Sequence, residues 1–233
     1  MHFVKALALC LPFLCAAPSW AEGNKVVVEL FTSQGCSSCP PADRLMAKLA
    51  DRDEVIALSL HVDYWDYIGW KDQFADPAYT ARQKAYAHRG GRNMVYTPQM
   101  IINGTDQVVG ARAMELADLI AAHAALERPV AIEAVRDGNR VMVTLSPIDP
   151  DLSGGFDLQL VRYSDARTIE ITRGENAGRT LTYHHVVDGW ETVADWDGAS
   201  VASLEFQLDD DRPVVILVQQ QGPGPIVAAA ELD

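Results

Sequence analysis

The residues best suited to chemistry are Cys36 and Cys39, in the stretch "GCSSCPP" over residues 35 to 41. Two thiols with two residues between them can close a redox disulfide, hold a soft metal ion or staple a turn. In the redox reading Cys36 attacks a disulfide as a thiolate and Cys39 resolves the mixed disulfide. As a staple, so short a loop contributes only roughly 2 kcal/mol in the loop-entropy model, among the smallest returns a disulfide gives. The spacing therefore favours redox work. In the metal reading the pair holds Cu(I), or less readily Zn²⁺, with His61 as a further ligand. The methionines form no run of soft ligands to strengthen it. A non-enzymatic binding module, in which the first half is only a scaffold, is the third alternative.

Positioning these thiols requires a strand and a helix on either side of them. "KVVVELFT" is a continuous apolar run rich in β-branched residues, as expected for a strand buried on both faces. "ADRLMAKLA" has helical spacing at Leu45 and Leu49, and Pro40 and Pro41 put its regular start near Cys39 or kink its first turn. "EVIALSLHV" is a second buried strand. "DPAYTARQKAYAHRGG" reads as a helix with Asp76 as cap, Pro77 at its first position and Gly90-Gly91 as its stop. "TPQMIING" and "DQVVG" form a hairpin about Asn103-Gly104, and "AMELADLIAAHAALER" carries an apolar stripe at Leu116, Leu119, Ile120 and Ala124.

The order is β-α-β-α-β-β-α. Crossover helices make the first two strands parallel, so their C-terminal ends share an edge, where sites form. His61 and Asp63 alternate along the second strand, face the same side and approach the cysteines there. The insertion "YWDYIGWKDQF", residues 64 to 74, sets Trp65 and Trp70 beside that edge, to pack the loop or to bind a partner.

Beyond Pro129 the texture changes to runs such as "VAIEAV", "RVMVTL", "FDLQLVRY" and "VVILVQQQ", separated by turn signals. These predict an antiparallel all-β sandwich-like domain over residues 129–233, with no acid, base and nucleophile grouped in it. At the other end, residues 1–21 read as a signal peptide: Lys5, an apolar run, then Ser19 and Ala21 before the cut. Export leaves two of the four cysteines, too few for a disulfide scaffold. The formal net charge of −13 becomes −14 when Lys5 is lost (18 basic against 32 acidic residues) and repels nucleic acid and anionic lipid headgroups. No nucleic acid or membrane partner is expected of the mature chain, and its place is periplasmic or secreted.

The wording "VELFTSQGCSSCPPAD", "HVDYWDYIGWKD", "VYTPQMIING" and "RGENAGRTLTY" resembles a family of secreted bacterial thioredoxin-like proteins catalogued only as a domain of unknown function. The resemblance implies an α/β thioredoxin-like domain (β-α-β-α-β-β-α) over residues 22–128, ahead of the sandwich. It implies thiol-disulfide exchange with protein or small-molecule thiols and no bound cofactor. It also places Glu29 near the position of the buried acid that serves the resolving cysteine. Thr97-Pro98 falls where such folds carry a cis-proline loop, with Thr97 facing the groove beside Cys36.

Overall fold

The structure, a computed structural model, describes residues 19–22 and 25–232. Most of the leader expected over residues 1–21 lies outside the described residues. Strand β1 (Ser19–Glu22) pairs with β6 (Val130–Asp137). Residues 26–124 follow the expected order: β2 (Val26–Thr32), α1 (Pro40–Ala50), β3 (Val55–His61), α2 (Pro77–Arg89), β4 (Gln99–Ile102), β5 (Asp106–Val109) and α3 (Ala113–Ala124). Pro77 opens α2 beneath an Asp76 cap that accepts from the Ala78 amide (2.8 Å). The β4–β5 turn places Asn103 and Gly104 at positive φ, 44° and 70°. That is the conformation for which an Asn-Gly pair is suited.

The remaining strands are β7 (Arg140–Pro147), β8 (Phe156–Ile171), β9 (Arg179–Trp196), β10 (Ala202–Gln207), β11 (Val214–Gln220) and β12 (Ile226–Leu232). Here the architecture departs from expectation. A thioredoxin-like α/β domain followed by an all-β sandwich is overturned by one mixed sheet of eight strands that draws on both halves of the chain, in the order β12-β11-β8-β9-β3-β2-β4-β5. The join is the parallel pairing of β3 with β9 at Ser59 and Val186. The chain is mostly β, with three α-helices among the described residues. The physical reason lies in β3: every residue from Val55 to His61 is buried, so it needs a neighbour on each side, and the first half supplies only β2.

Packing follows the sheet. On one face, α1 and α3 cover Val26, Val28 and Leu30 of β2 with Met46, Leu49, Leu116 and Ile120. On the other, Val27, Phe31, Ile56, Leu58 and Leu60 share a core with Val161, Tyr163, Val187, Val215 and Leu217 from the second half. The second sheet, β1-β6-β7-β10, lays the buried alternate residues Val130, Ile132 and Ala134 on β8, β11 and β12. No described helix is long and apolar enough to cross a membrane.

Candidate active site

Cys36 and Cys39 are joined by a disulfide, with Cα atoms 5.4 Å apart. They occupy the turn between β2 and α1. The Cys36 amide donates to the Ser33 carbonyl (3.1 Å) and the Cys39 amide to the Cys36 carbonyl (3.2 Å). Cys39 is the helix cap residue and Pro40 the first helical one, so the two prolines shift the helix start past the pair rather than kink it. Neither proline carries an N–H, and the Ala42 and Asp43 amides both donate to the Cys39 carbonyl (2.8 and 3.1 Å). The first turn of α1 thus keeps no spare amide donor for a thiolate at Cys36. The Ser38 hydroxyl lies 3.4 Å from Cys36 Sγ.

Position alone predicts an exposed Cys36 above a buried Cys39. The structure buries both, at 1% and 0% exposure. Part of the cover comes from the second half, which the sequence reading left out of the site. Asn176, in the tip of the β8–β9 hairpin, is itself buried and donates through Nδ2 to the carbonyls of Gln34 (2.9 Å) and Cys36 (3.0 Å).

Beneath the disulfide lies a cluster of ionisable and polar side chains. Asp43 stands four residues after Cys39, on the same face of α1. Its Oδ1 accepts from Thr32 Oγ1 (2.7 Å), while Oδ2 is buried without a partner. Burial pushes the Asp43 carboxyl up to about 7, against the opposing pull of the Thr32 hydroxyl and of His61. His61, at the end of β3, is fully buried and donates from Nδ1 to Asp72 Oδ2 (2.8 Å). Burial would raise Asp72, but His61 and the amides of Gln34 and Phe74 outweigh it and hold that carboxylate below its ordinary value. Tyr183 of β9 stacks edge-on against His61, ring centroids 4.8 Å apart, and burial pushes its phenol well up. Four buried side-chain polar atoms without a hydrogen-bond partner among the described residues gather here, on Gln34, Asp43, His61 and Tyr183. Such atoms are expensive in an apolar interior.

A cavity of about 280 Å³ between α1 and β9 reaches this cluster. Asp43, Thr182 and His184 line it.

The structure separates Glu29 from the pair. Along β2 it alternates with Val28 and Leu30, which face α1, so its carboxylate enters the opposite face of the sheet. There it accepts from Arg82 Nε (2.6 Å) and Tyr86 Oη (2.5 Å), and Arg82 stacks over Trp190 at 3.9 Å. The buried carboxyl one helical turn from Cys39 is that of Asp43. The sequence did show a signal for it: an acidic residue set among Ala42, Met46 and Leu49 on the buried face of α1.

The Thr97-Pro98 peptide bond is cis. Gly110 holds its place between Pro98 and Ala42 because a Cβ there would meet them at 2.8 and 3.0 Å, which keeps the proline loop against α1. Thr97 Oγ1 accepts from Trp65 Nε1 (2.7 Å), and Trp65 closes on Gly35. Trp70 Nε1 donates to Gln34 Oε1 (2.7 Å). Both tryptophans therefore brace the loop ahead of Cys36, while Tyr67 between them is 82% exposed. Asp63 leaves the cluster and accepts from Thr80 Oγ1 (2.6 Å). Among the described residues no group of three His, Cys, Asp or Glu side chains is placed to hold a metal ion.

Residues 27–219 match a family described as protein of unknown function, DUF1223. The chain belongs to the DUF1223 family. A crystal structure of a protein from Agrobacterium tumefaciens is 34% identical with a TM-score of 0.77, covering 89% of this DUF1223 chain and 93% of that one. HBP35 of Porphyromonas gingivalis is 15% identical with a TM-score of 0.64 over 92% of this chain and 76% of its own, a likeness of fold alone. No curated protein matches this DUF1223 chain.

Proposed function

We propose that this DUF1223 protein is an exported thiol-disulfide oxidoreductase that exchanges disulfides with protein or small-molecule thiols through Cys36 and Cys39, without a bound cofactor. The observation that carries this reading is the disulfide standing one helical turn from a buried carboxyl raised to about 7, Asp43. In the reducing direction a substrate thiolate bonds to Cys36 Sγ, the Cys36–Cys39 bond breaks, and Cys39 departs with the electron pair. The protonated Asp43 carboxyl supplies the proton that Cys39 needs. In the reverse direction the Asp43 carboxylate takes the Cys39 proton, and the resulting thiolate attacks Cys36 Sγ and releases the substrate sulfur as a thiolate. A group titrating near neutrality serves both directions.

The leader-like residues 1–21 and the retention of only two cysteines support a periplasmic or secreted location, where disulfides persist. Equilibration in glutathione buffers, read by alkylation and mass, tests the reading. A pair that cycles within the glutathione range supports it. A bond that stays closed below roughly −300 mV, as structural disulfides do, overturns it. Expression of Cys39→Ala in the exporting compartment should then trap mixed disulfides on Cys36.

A further inference from the structure

The run "RGENAGRTLTY", Arg173 to Tyr183, lies about 140 residues from the cysteines along the chain and against them in space. It closes the β8–β9 hairpin, which stays paired from Phe156 and Trp196 at its base to Ile171 and Arg179 at its tip. The base is fixed in the core beneath the four-stranded sheet through Phe156, Leu158 and Trp196. The tip is held far more lightly. From Thr172 to Thr180 every residue is exposed except Asn176, which is 1% exposed. Its amide makes the two bonds to the Gln34 and Cys36 carbonyls, and its Oδ1 accepts from Arg179 Nη1 (2.8 Å), which aims the amide. Gly174, at φ +76°, runs close along Trp70, where a Cβ would stand 3.2 Å from the Trp70 Cβ.

Cys36 is 1% exposed and Cys39 0%, which leaves an incoming thiolate almost no surface of either residue to reach. Something must move before exchange occurs. The exposed strand-turn-strand tip with one buried anchor is the element whose release uncovers the turn, since few contacts define a segment that opens at low free energy. We propose that Asn176 is a positioning residue that latches the 172–178 tip over the Cys36–Cys39 disulfide, so that thiol exchange is gated by release of its two amide bonds. The proposal takes its biological meaning from the oxidoreductase reading but is measured independently of it.

The test is the rate at which dithiothreitol reduces the disulfide in the full chain, well below the unfolding transition. Asn176→Ala should react about tenfold faster, because two hydrogen bonds no longer hold the tip closed. Glu175→Ala, at an exposed position of the same tip, should stay within about twofold of the unaltered protein. Asn176→Asp serves if the alanine variant fails to fold: it keeps the shape and the acceptor for Arg179 while setting an acceptor against two carbonyls, and it too should react faster. A folded Asn176→Ala or Asn176→Asp variant that reacts at the unaltered rate overturns the latch. Loss of thermal stability without a faster reaction assigns Asn176 a structural role and overturns it as well. The glutathione equilibrium decides the oxidoreductase reading separately, since a structural disulfide would still be reduced faster by dithiothreitol once unlatched.

Discussion

The Asp43 amide donates to the Cys39 carbonyl at 3.1 Å, which fixes the Asp43 carboxyl one turn along α1 on the face that Cys39 occupies. That spacing joins the only described disulfide to the one carboxyl that burial has raised to about 7. The unfolded carboxyl titrates near 3.8, so between about 4 and about 7 the folded chain binds more protons than the unfolded one. Stability contributed by the protonated group is therefore complete below about 4 and lost as pH rises through 7. Asp43→Asn should flatten that slope and raise stability at pH 8 by on the order of 2 kcal/mol, read from urea unfolding at several pH values. The same variant should slow disulfide exchange and remove an inflection near pH 7 from its rate profile. An unchanged inflection would assign it to another group.

Glu29 makes the opposite prediction. Its pairing with Arg82 and Tyr86 is buried, with side-chain exposures of 0% for Glu29 and 10% for Arg82. Glu29→Gln leaves the guanidinium short of its charge partner and should destabilise the fold by roughly 3–5 kcal/mol. The glutathione equilibrium of the cysteines should not move, because the Glu29 carboxylate lies across the sheet from them. A shifted equilibrium with unchanged stability would return Glu29 to the site.

What the sequence made legible was local. The Asn103-Gly104 turn, the Asp76 and Pro77 start of α2 and the two prolines after Cys39 act through their own backbone geometry, and each element formed where those residues put it. The sheet was not legible, because the neighbour of β3 is chosen by which distant strand buries its second edge, and β9 lies more than a hundred residues away. The site divides in the same way. Cys36 and Cys39 announced themselves by spacing, and Asp43 carried a readable mark as an acid on a buried helix face. Asp72 and Asn176 did not, since an acid in a loop and an asparagine in a turn look alike whether they face solvent or meet Gln34 across the fold.

The aromatic insertion can be divided by stability. Trp65 is half-buried and donates to Thr97, so Trp65→Phe should lose roughly 1 kcal/mol, read from the urea midpoint. Tyr67, at 82% exposure, should tolerate alanine within about 0.5 kcal/mol. Should Trp65→Phe be neutral while slowing exchange with a reduced protein, Trp65 would be a contact for partners rather than a brace for the loop.

The last prediction concerns a chain cut after Arg128. Such a fragment keeps β2, β3, β4 and β5 with all three α-helices, and sequence alone lets it stand as a working domain. In the structure it would lose β9 from the edge of β3, uncovering a fully buried and mostly apolar strand, and it would lose Val161, Tyr163, Val187, Val215 and Leu217 from the core behind Val27, Phe31 and Leu58. An uncovered apolar edge of this kind is a template for association. Residues 22–128 expressed alone should therefore show no cooperative thermal transition and should aggregate, with both thiols alkylated at the rate of an unfolded peptide after reduction. Cooperative melting of that fragment, with its disulfide formed and protected, would show that the first half closes its own core and that the second half is an addition to it.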